Sequence, residues 1–247
     1  MQKIFLKLAY DGSNYNGWQR QPNVPTVQEA VENVLSEIYK EKITVMGCGR
    51  TDTGVHASLY YAHVELPEYR AYLLKAMRHF LPEDVMLYDI LLVDEKAHAR
   101  YDAEERTYEY KIHTEPNVFL RKYSLYQPIN HLDRTAIQKA CTIFEKYDNY
   151  RPLCKENPDI KIHNSLVNNA EWIELNEGKN VIFRVSANRF LRNQIRRMVG
   201  TLIDIGMGKT SLEELESAMK NDIDLKYNTK AEPQGLFLTD VKYPYIN

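Results

Sequence analysis

The order in which apolar patterns change period along this chain restricts its fold more than any single motif does. Ile4 to Tyr10 alternates as a strand does and stops at the turn cluster Asp11-Gly12-Ser13-Asn14. Thr26-Val27-Gln28-Glu29 has the form of a capping box, and Val27, Ala30, Val31, Val34, Leu35 and Ile38 keep one helical face apolar. Strands over Lys42 to Met46 and Leu59 to Leu66 follow as a hairpin. Pro67 then opens a helix with the apolar set Tyr69, Leu73, Leu74, Met77 and Phe80, stopped by Leu81-Pro82, and Met86 to Val93 is a strand. The first half therefore reads β-α-β-β-α-β.

The second half repeats that order. Thr107 to His113 is a strand, and Asp133 caps a helix with Ala136, Ile137, Ala140, Ile143, Phe144 and Tyr147 on one face. A polar, irregular and mobile stretch is expected at 148–165. Strands over Ala170 to Leu175 and Val181 to Ala187 bracket the turn Asn176-Glu177-Gly178-Lys179. A long helix runs from about Phe190 to Ile205, a second is opened by the capping box Ser211-Leu212-Glu213-Glu214, and Leu236 to Tyr243 is a last strand. Such repetition predicts an α+β fold of two ferredoxin-like halves, 1–105 and 106–247. They would form a joined, mainly antiparallel sheet with helices on one face and a central cleft. An architecture of this kind does not name its ligand.

Candidate chemistry concentrates in Gly47-Cys48-Gly49-Arg50-Thr51-Asp52-Thr53-Gly54-Val55-His56, a glycine-rich connection between two strands. Asp52 has no second carboxylate close by in sequence to complete an acid and base pair. The spacing suits one ionised carboxylate beside a cation, Arg50, acting as a nucleophile or as a stabiliser of positive charge. The densest basic stretch is Arg189-Phe190-Leu191-Arg192-Asn193-Gln194-Ile195-Arg196-Arg197. On a helix it would place Arg189, Arg192 and Arg196 along one side, suited to phosphates, and Leu191, Ile195, Met198 and Leu202 along the other. Tyr108 and Tyr110 share one face of their strand, with Glu109 on the other.

A formal net charge of -2 leaves any nucleic-acid contact to a local patch. Cys48, Cys141 and Cys154 are odd in number and lack a CxxC pair, which predicts reduced thiols in the cytoplasm. No apolar run approaches membrane-spanning length, the amino terminus lacks a signal-peptide layout, and the histidines show no ligand spacing. No phosphate-binding or dinucleotide fingerprint appears, so metal and nucleotide cofactors are disfavoured.

Five segments in order resemble the TruA-type family of tRNA pseudouridine synthases. They are Tyr10-Asp11-Gly12 with Gly17-Trp18-Gln19 and Thr26-Val27-Gln28-Glu29; Gly49-Arg50-Thr51-Asp52 with Gly54-Val55-His56; and His98-Ala99-Arg100 with Arg106-Thr107-Tyr108-Glu109-Tyr110. Phe190-Leu191 through Arg196, Val199 and Gly200 is the fourth, and Pro233-Gln234-Gly235-Leu236 with Tyr243-Pro244 the fifth. The chain departs from the family at Thr53, where Ala is usual, and at Ala57-Ser58-Leu59-Tyr60, where the family has Gly-x-Gly-Gln. It departs again at Tyr147-Asp148-Asn149-Tyr150-Arg151-Pro152, in place of a His-Asp-Phe segment. These differences bear on substrate position rather than on reaction type.

The resemblance implies isomerisation of uridine to pseudouridine in the anticodon stem-loop of tRNA, with no cofactor. By it, Asp52 is the catalytic nucleophile, attacking the sugar or stabilising a glycal-forming path; Arg196 and Arg50 hold it anionic and oriented, and Tyr108 packs on the uracil or also helps remove the C5 proton. It also implies a homodimer and no membrane association. The alternative reading is a non-catalytic tRNA-binding or folding protein of the same fold.

Overall fold

A computed structural model describes residues 1–155 and 162–246. Of the irregular stretch expected at 148–165, residues 156–161 therefore lie outside the described residues. The elements run β1 (Gln2–Tyr10), α1 (Val27–Tyr39), β2 (Val45–Gly47), β3 (His56–Leu66), α2 (Leu73–Phe80), β4 (Val85–Leu92) and β5 (Glu105–His113). Then come β6 (Leu125–Tyr126), α3 (Arg134–Lys146), β7 (Val167–Leu175), β8 (Asn180–Ala187), α4 (Gln194–Gly206), α5 (Leu212–Asn221) and β9 (Leu236–Lys242). The fold is mixed α/β with largely antiparallel strands. Among the described residues no helix is long and apolar enough to cross a membrane.

Two compact units emerge, one of Met1–Glu104 with Phe237–Asn247 and one of Glu105–Leu236. This division differs from a single cut at residue 105 because the end of the chain returns to the first unit. There β9 pairs in parallel with β3, His56 opposite Phe237 and Ala57 opposite Leu238, and the His56 and Phe237 rings stack 4.5 Å apart.

In the first unit the strand order is β4-β1-β3-β9, with β2 on β3. Because β1 takes one edge of β3 along its whole length, β2 and β9 share the other: β2 pairs with Ala62 to Val64 and β9 with His56 and Ala57. Helix α1 forms as predicted, with Thr26 accepting from the Glu29 amide and Val27, Val31 and Leu35 fully buried; each such side chain contributes about 1.5–3 kcal/mol of transfer free energy. Helix α2 starts later than Pro67, and of its predicted apolar set Leu73 and Met77 are buried whereas Tyr69 and Phe80 are exposed. The cause is tertiary. The Tyr39 hydroxyl donates to the Glu68 carbonyl (2.9 Å), and the Arg70 guanidinium donates to the Ile38 carbonyl while lying over the Tyr39 ring, so 68–70 is held in a non-helical course against the end of α1.

One histidine of this sheet makes stability pH-dependent. His63 on β3 accepts the Ala99 amide at Nδ1 (3.0 Å), and burial, then the neighbouring His98 and Lys3, lower its pKa from 6.5 to about 4. The unfolded chain takes up this proton first, so stability is whole above about pH 6.5, declines as pH falls toward about 4, and is level with respect to this group below that. Urea midpoints should therefore drop between pH 7 and pH 5, and His63→Gln, whose amide oxygen can still accept from Ala99, should flatten the drop. An unchanged slope in that variant would clear His63 of the effect.

In the second unit the order is β5-β8-β7, with β6 on β5. Tyr108 and Tyr110 share a buried face opposite Val185 and Phe183, while Glu109 faces the other way and meets the Arg184 guanidinium at 2.9 Å. Asp133 caps α3, and Ser211 with Glu214 forms a complete capping box on α5, both as the patterns require. The long helix is the exception: α4 begins at Gln194, not at Phe190, because Asn193 adopts a left-handed conformation (φ 63°). Gln194 knits the preceding turn. Its Oε1 accepts the Leu191 amide (2.8 Å) and its Nε2 donates to Ser165 Oγ (3.1 Å). Arg189 and Arg192 are consequently exposed and off the helix, and Arg196 is buried within a helix that is buried almost all round, so the predicted basic helical edge does not exist.

Candidate active site

Strand β2 ends at Gly47, and the chain reaches β3 through residues 48–55, which carry Asp52. Far from being a flexible display, this loop is tied down along its length. The Cys48 amide donates to the Tyr61 carbonyl (2.8 Å), and the Tyr60 hydroxyl donates to the Gly49 carbonyl (2.5 Å) while its ring stacks on Trp18, centroids 4.1 Å apart. Thr51 Oγ1 and the Tyr10 hydroxyl are hydrogen-bonded at 2.9 Å. Beyond Asp52, the Val55 amide donates to the Asp52 carbonyl (3.1 Å) and the Gly54 amide to the Tyr15 carbonyl (3.2 Å).

The segment after β1 comes up close behind the loop. Gly17 sits at φ +84°, and a Cβ there would lie 2.1 Å from the Thr51 carbonyl oxygen, so only glycine fits both the backbone conformation and the space. Asp52 ends half-buried and Arg50 exposed. Arg50 also lines a small depression with Trp18, Gln19, Met46, Gly49 and Arg100, which puts two guanidinium groups beside the loop.

Strand β2 is itself braced by polar groups turned inward from α1. Glu32 Oε1 accepts the Val45 amide (2.9 Å), Gln28 Nε2 donates to the Val45 carbonyl and to Glu32 Oε1 (both 2.9 Å), and Arg20 Nη1 lies 2.9 Å from Glu32 Oε2. A carboxylate this deeply buried is tolerated only with such partners. Sequence reading missed these residues, although a signal was present: Gln28 and Glu32 are polar at i and i+4 beside the apolar stripe of Val27, Val31 and Leu35. It also treated Tyr60 as a departure in a strand, whereas the side chain holds the start of the Asp52 loop.

In the second unit Tyr108 is buried with its ring edge-on to Phe190, centroids 5.2 Å apart. Arg196 is buried, and its Nε donates to the Ala231 carbonyl (2.7 Å) while its own carbonyl accepts the Ala231 amide (3.0 Å). The four predicted site residues thus fall two to a unit, Asp52 and Arg50 on one loop of the first, Tyr108 and Arg196 on β5 and α4 of the second. Chemically, the loop offers a carboxylate with fixed backbone position, and the second unit offers an aromatic face and a guanidinium whose plane is set by a backbone carbonyl.

Comparison with known proteins accords with these features. Residues 146–244 match a family model described as tRNA pseudouridine synthase. Over 99% of its length the chain is 39% identical to tRNA pseudouridine synthase A of Azobacteroides pseudotrichonymphae, covering 98% of that protein. It is 38% identical to the Bacteroides thetaiotaomicron protein of the same name, over 99% of this chain and 91% of the relative. With that of Aquifex aeolicus it shares 37% identity, over 98% of this chain and 99% of the relative.

Proposed function

Since the chain belongs to the tRNA pseudouridine synthase A family, we infer that it isomerises uridine to pseudouridine in tRNA with Asp52 as the nucleophile. The N1 to C1′ bond of the uridine breaks, the uracil turns, and C5 bonds to the same C1′. The C5 proton is lost and N1 ends protonated, so the product is an isomer and the reaction consumes no cofactor. Asp52 attacks C1′ as uracil departs with the N1 electron pair, and the C1′–O bond so formed breaks as C5 bonds to C1′, which returns the free carboxylate. Arg196, and Arg50 from the loop itself, keep the carboxylate anionic and aimed. Tyr108 packs on the uracil, its buried ring supplying an aromatic face for stacking. The uridine must leave its stack first, at a cost of a few kcal/mol offset by aromatic and cationic groups.

The finer reading takes the anticodon stem-loop as the region of tRNA that is modified and a cytoplasmic homodimer as the acting form. The observation that carries the chemistry is the Asp52 loop, which is gripped at its backbone by Gly17, Tyr15 and Tyr60 and at the Thr51 side chain by Tyr10, a degree of fixation that a carboxylate needs to meet one carbon atom. Incubation with C5-tritiated tRNA tests it. Tritium should enter water with no free uracil. Free uracil would mean hydrolysis of the nucleoside, and retention of all tritium would mean a tRNA-binding protein without catalysis.

A further inference from the structure

Arg196 and the strand of Tyr108 are joined by one segment, Thr229–Gly235, which lies between α5 and β9 in the chain. It is pinned at three places. At α4, a Cβ on Gly200 would lie 1.9 Å from the Thr229 carbonyl oxygen, so the absent side chain lets the segment lie directly on the helix. One turn earlier, Arg196 and Ala231 exchange two hydrogen bonds, Ala231 amide to Arg196 carbonyl (3.0 Å) and Arg196 Nε to Ala231 carbonyl (2.7 Å). At β5, the hydroxyl of Tyr110, whose side chain is fully buried, donates to the Glu232 carbonyl (2.6 Å). Gly235 packs on the same ring, where a Cβ would lie 2.8 Å from Tyr110 Cε1.

A guanidinium is planar, so a bond from Nε to a fixed carbonyl sets the direction of its terminal nitrogens. The Ala231 carbonyl is fixed only as firmly as its segment, and the adjacent carbonyl, that of Glu232, is the one Tyr110 holds. We propose that Tyr110 and Gly200 are positioning residues that act through the Thr229–Gly235 segment to aim the Arg196 guanidinium. Tyr110 stands two residues from Tyr108 on the same strand face, so the aromatic group on the base and the cation on the carboxylate share one mount. This rests on the reading that Arg196 serves the Asp52 carboxylate.

Tyr110→Phe removes one hydroxyl and keeps the ring under Gly235. It should lower kcat about tenfold with KM for tRNA within about twofold. Gly200→Ala, if it folds by circular dichroism, should show the same signature. Arg196→Lys, which lacks Nε, should itself lower kcat, and adding Tyr110→Phe to it should cost less than about twofold more. A Tyr110→Phe enzyme with only a lower melting temperature, its kcat and KM unmoved while Arg196→Lys is impaired, overturns the positioning role and leaves the proposed function standing. Full activity of Arg196→Lys overturns the role of Arg196 itself and the positioning inference with it.

Discussion

Asp52→Ala is expected to lose tritium release from C5-labelled tRNA by at least about a thousandfold, while tRNA affinity stays within about tenfold, or about 1.4 kcal/mol. The two halves of that result have separate physical grounds. The carboxylate is the group assigned to the chemistry, and alanine offers nothing in its place. Yet the loop is held by backbone and neighbouring groups that alanine keeps: the Asp52 carbonyl accepting from Val55, the Gly54 amide on Tyr15, the Tyr10 contact to Thr51 and the Tyr60 contact to Gly49. Neighbouring cations, Arg50 and Arg100, remain to meet phosphates. Activity equal to that of the unmodified enzyme would remove Asp52 from the mechanism, and a matching thousandfold loss of affinity would make it a binding residue instead.

Gly17→Ala attacks the same loop from behind. The alanine Cβ would occupy a point 2.1 Å from the Thr51 carbonyl oxygen at a φ of +84°, so either the Asp11 to Gln21 segment or the Asp52 loop must move. We expect a loss of about 2 kcal/mol in the urea-measured stability from strain and lost packing. Turnover should fall about a hundredfold, because a shift of about 1 Å in the attacking group is enough to cost that much. Gly49→Ala, where a Cβ meets nothing within 4 Å, is the control and should cost far less on both counts. Normal turnover in Gly17→Ala would show that the loop does not need its observed position.

Much of this was legible in the residues. Alternation in Ile4 to Tyr10, the caps Thr26, Asp133 and Ser211, and the turn Asn176-Glu177-Gly178 each act over a few residues, and the corresponding elements formed where expected. The motif around Asp52 was equally plain, since its glycines and charges are adjacent in sequence. The reading failed where a distant group decided the local conformation. Pro67 did not open a helix because Tyr39 and Arg70 hold 68–70 in a non-helical course. Arginines at 189, 192 and 196 have helical spacing, but spacing is periodicity without a start point, and the Gln194 contacts to Leu191 and Ser165 set that start at 194.

By itself the sequence determined the order of elements, the loop that carries Asp52 and the family to which the chain is similar, because patterns of period, caps and contiguous motifs are local properties. Only the tertiary structure decided that Arg196 is buried and aimed by Ala231, that β9 closes the first unit, and that Gly17, Tyr60 and Glu32 brace the Asp52 loop and its strand. These contacts join residues far apart in the chain, and which polar group meets which carbonyl there is settled by packing, to which a linear pattern is blind.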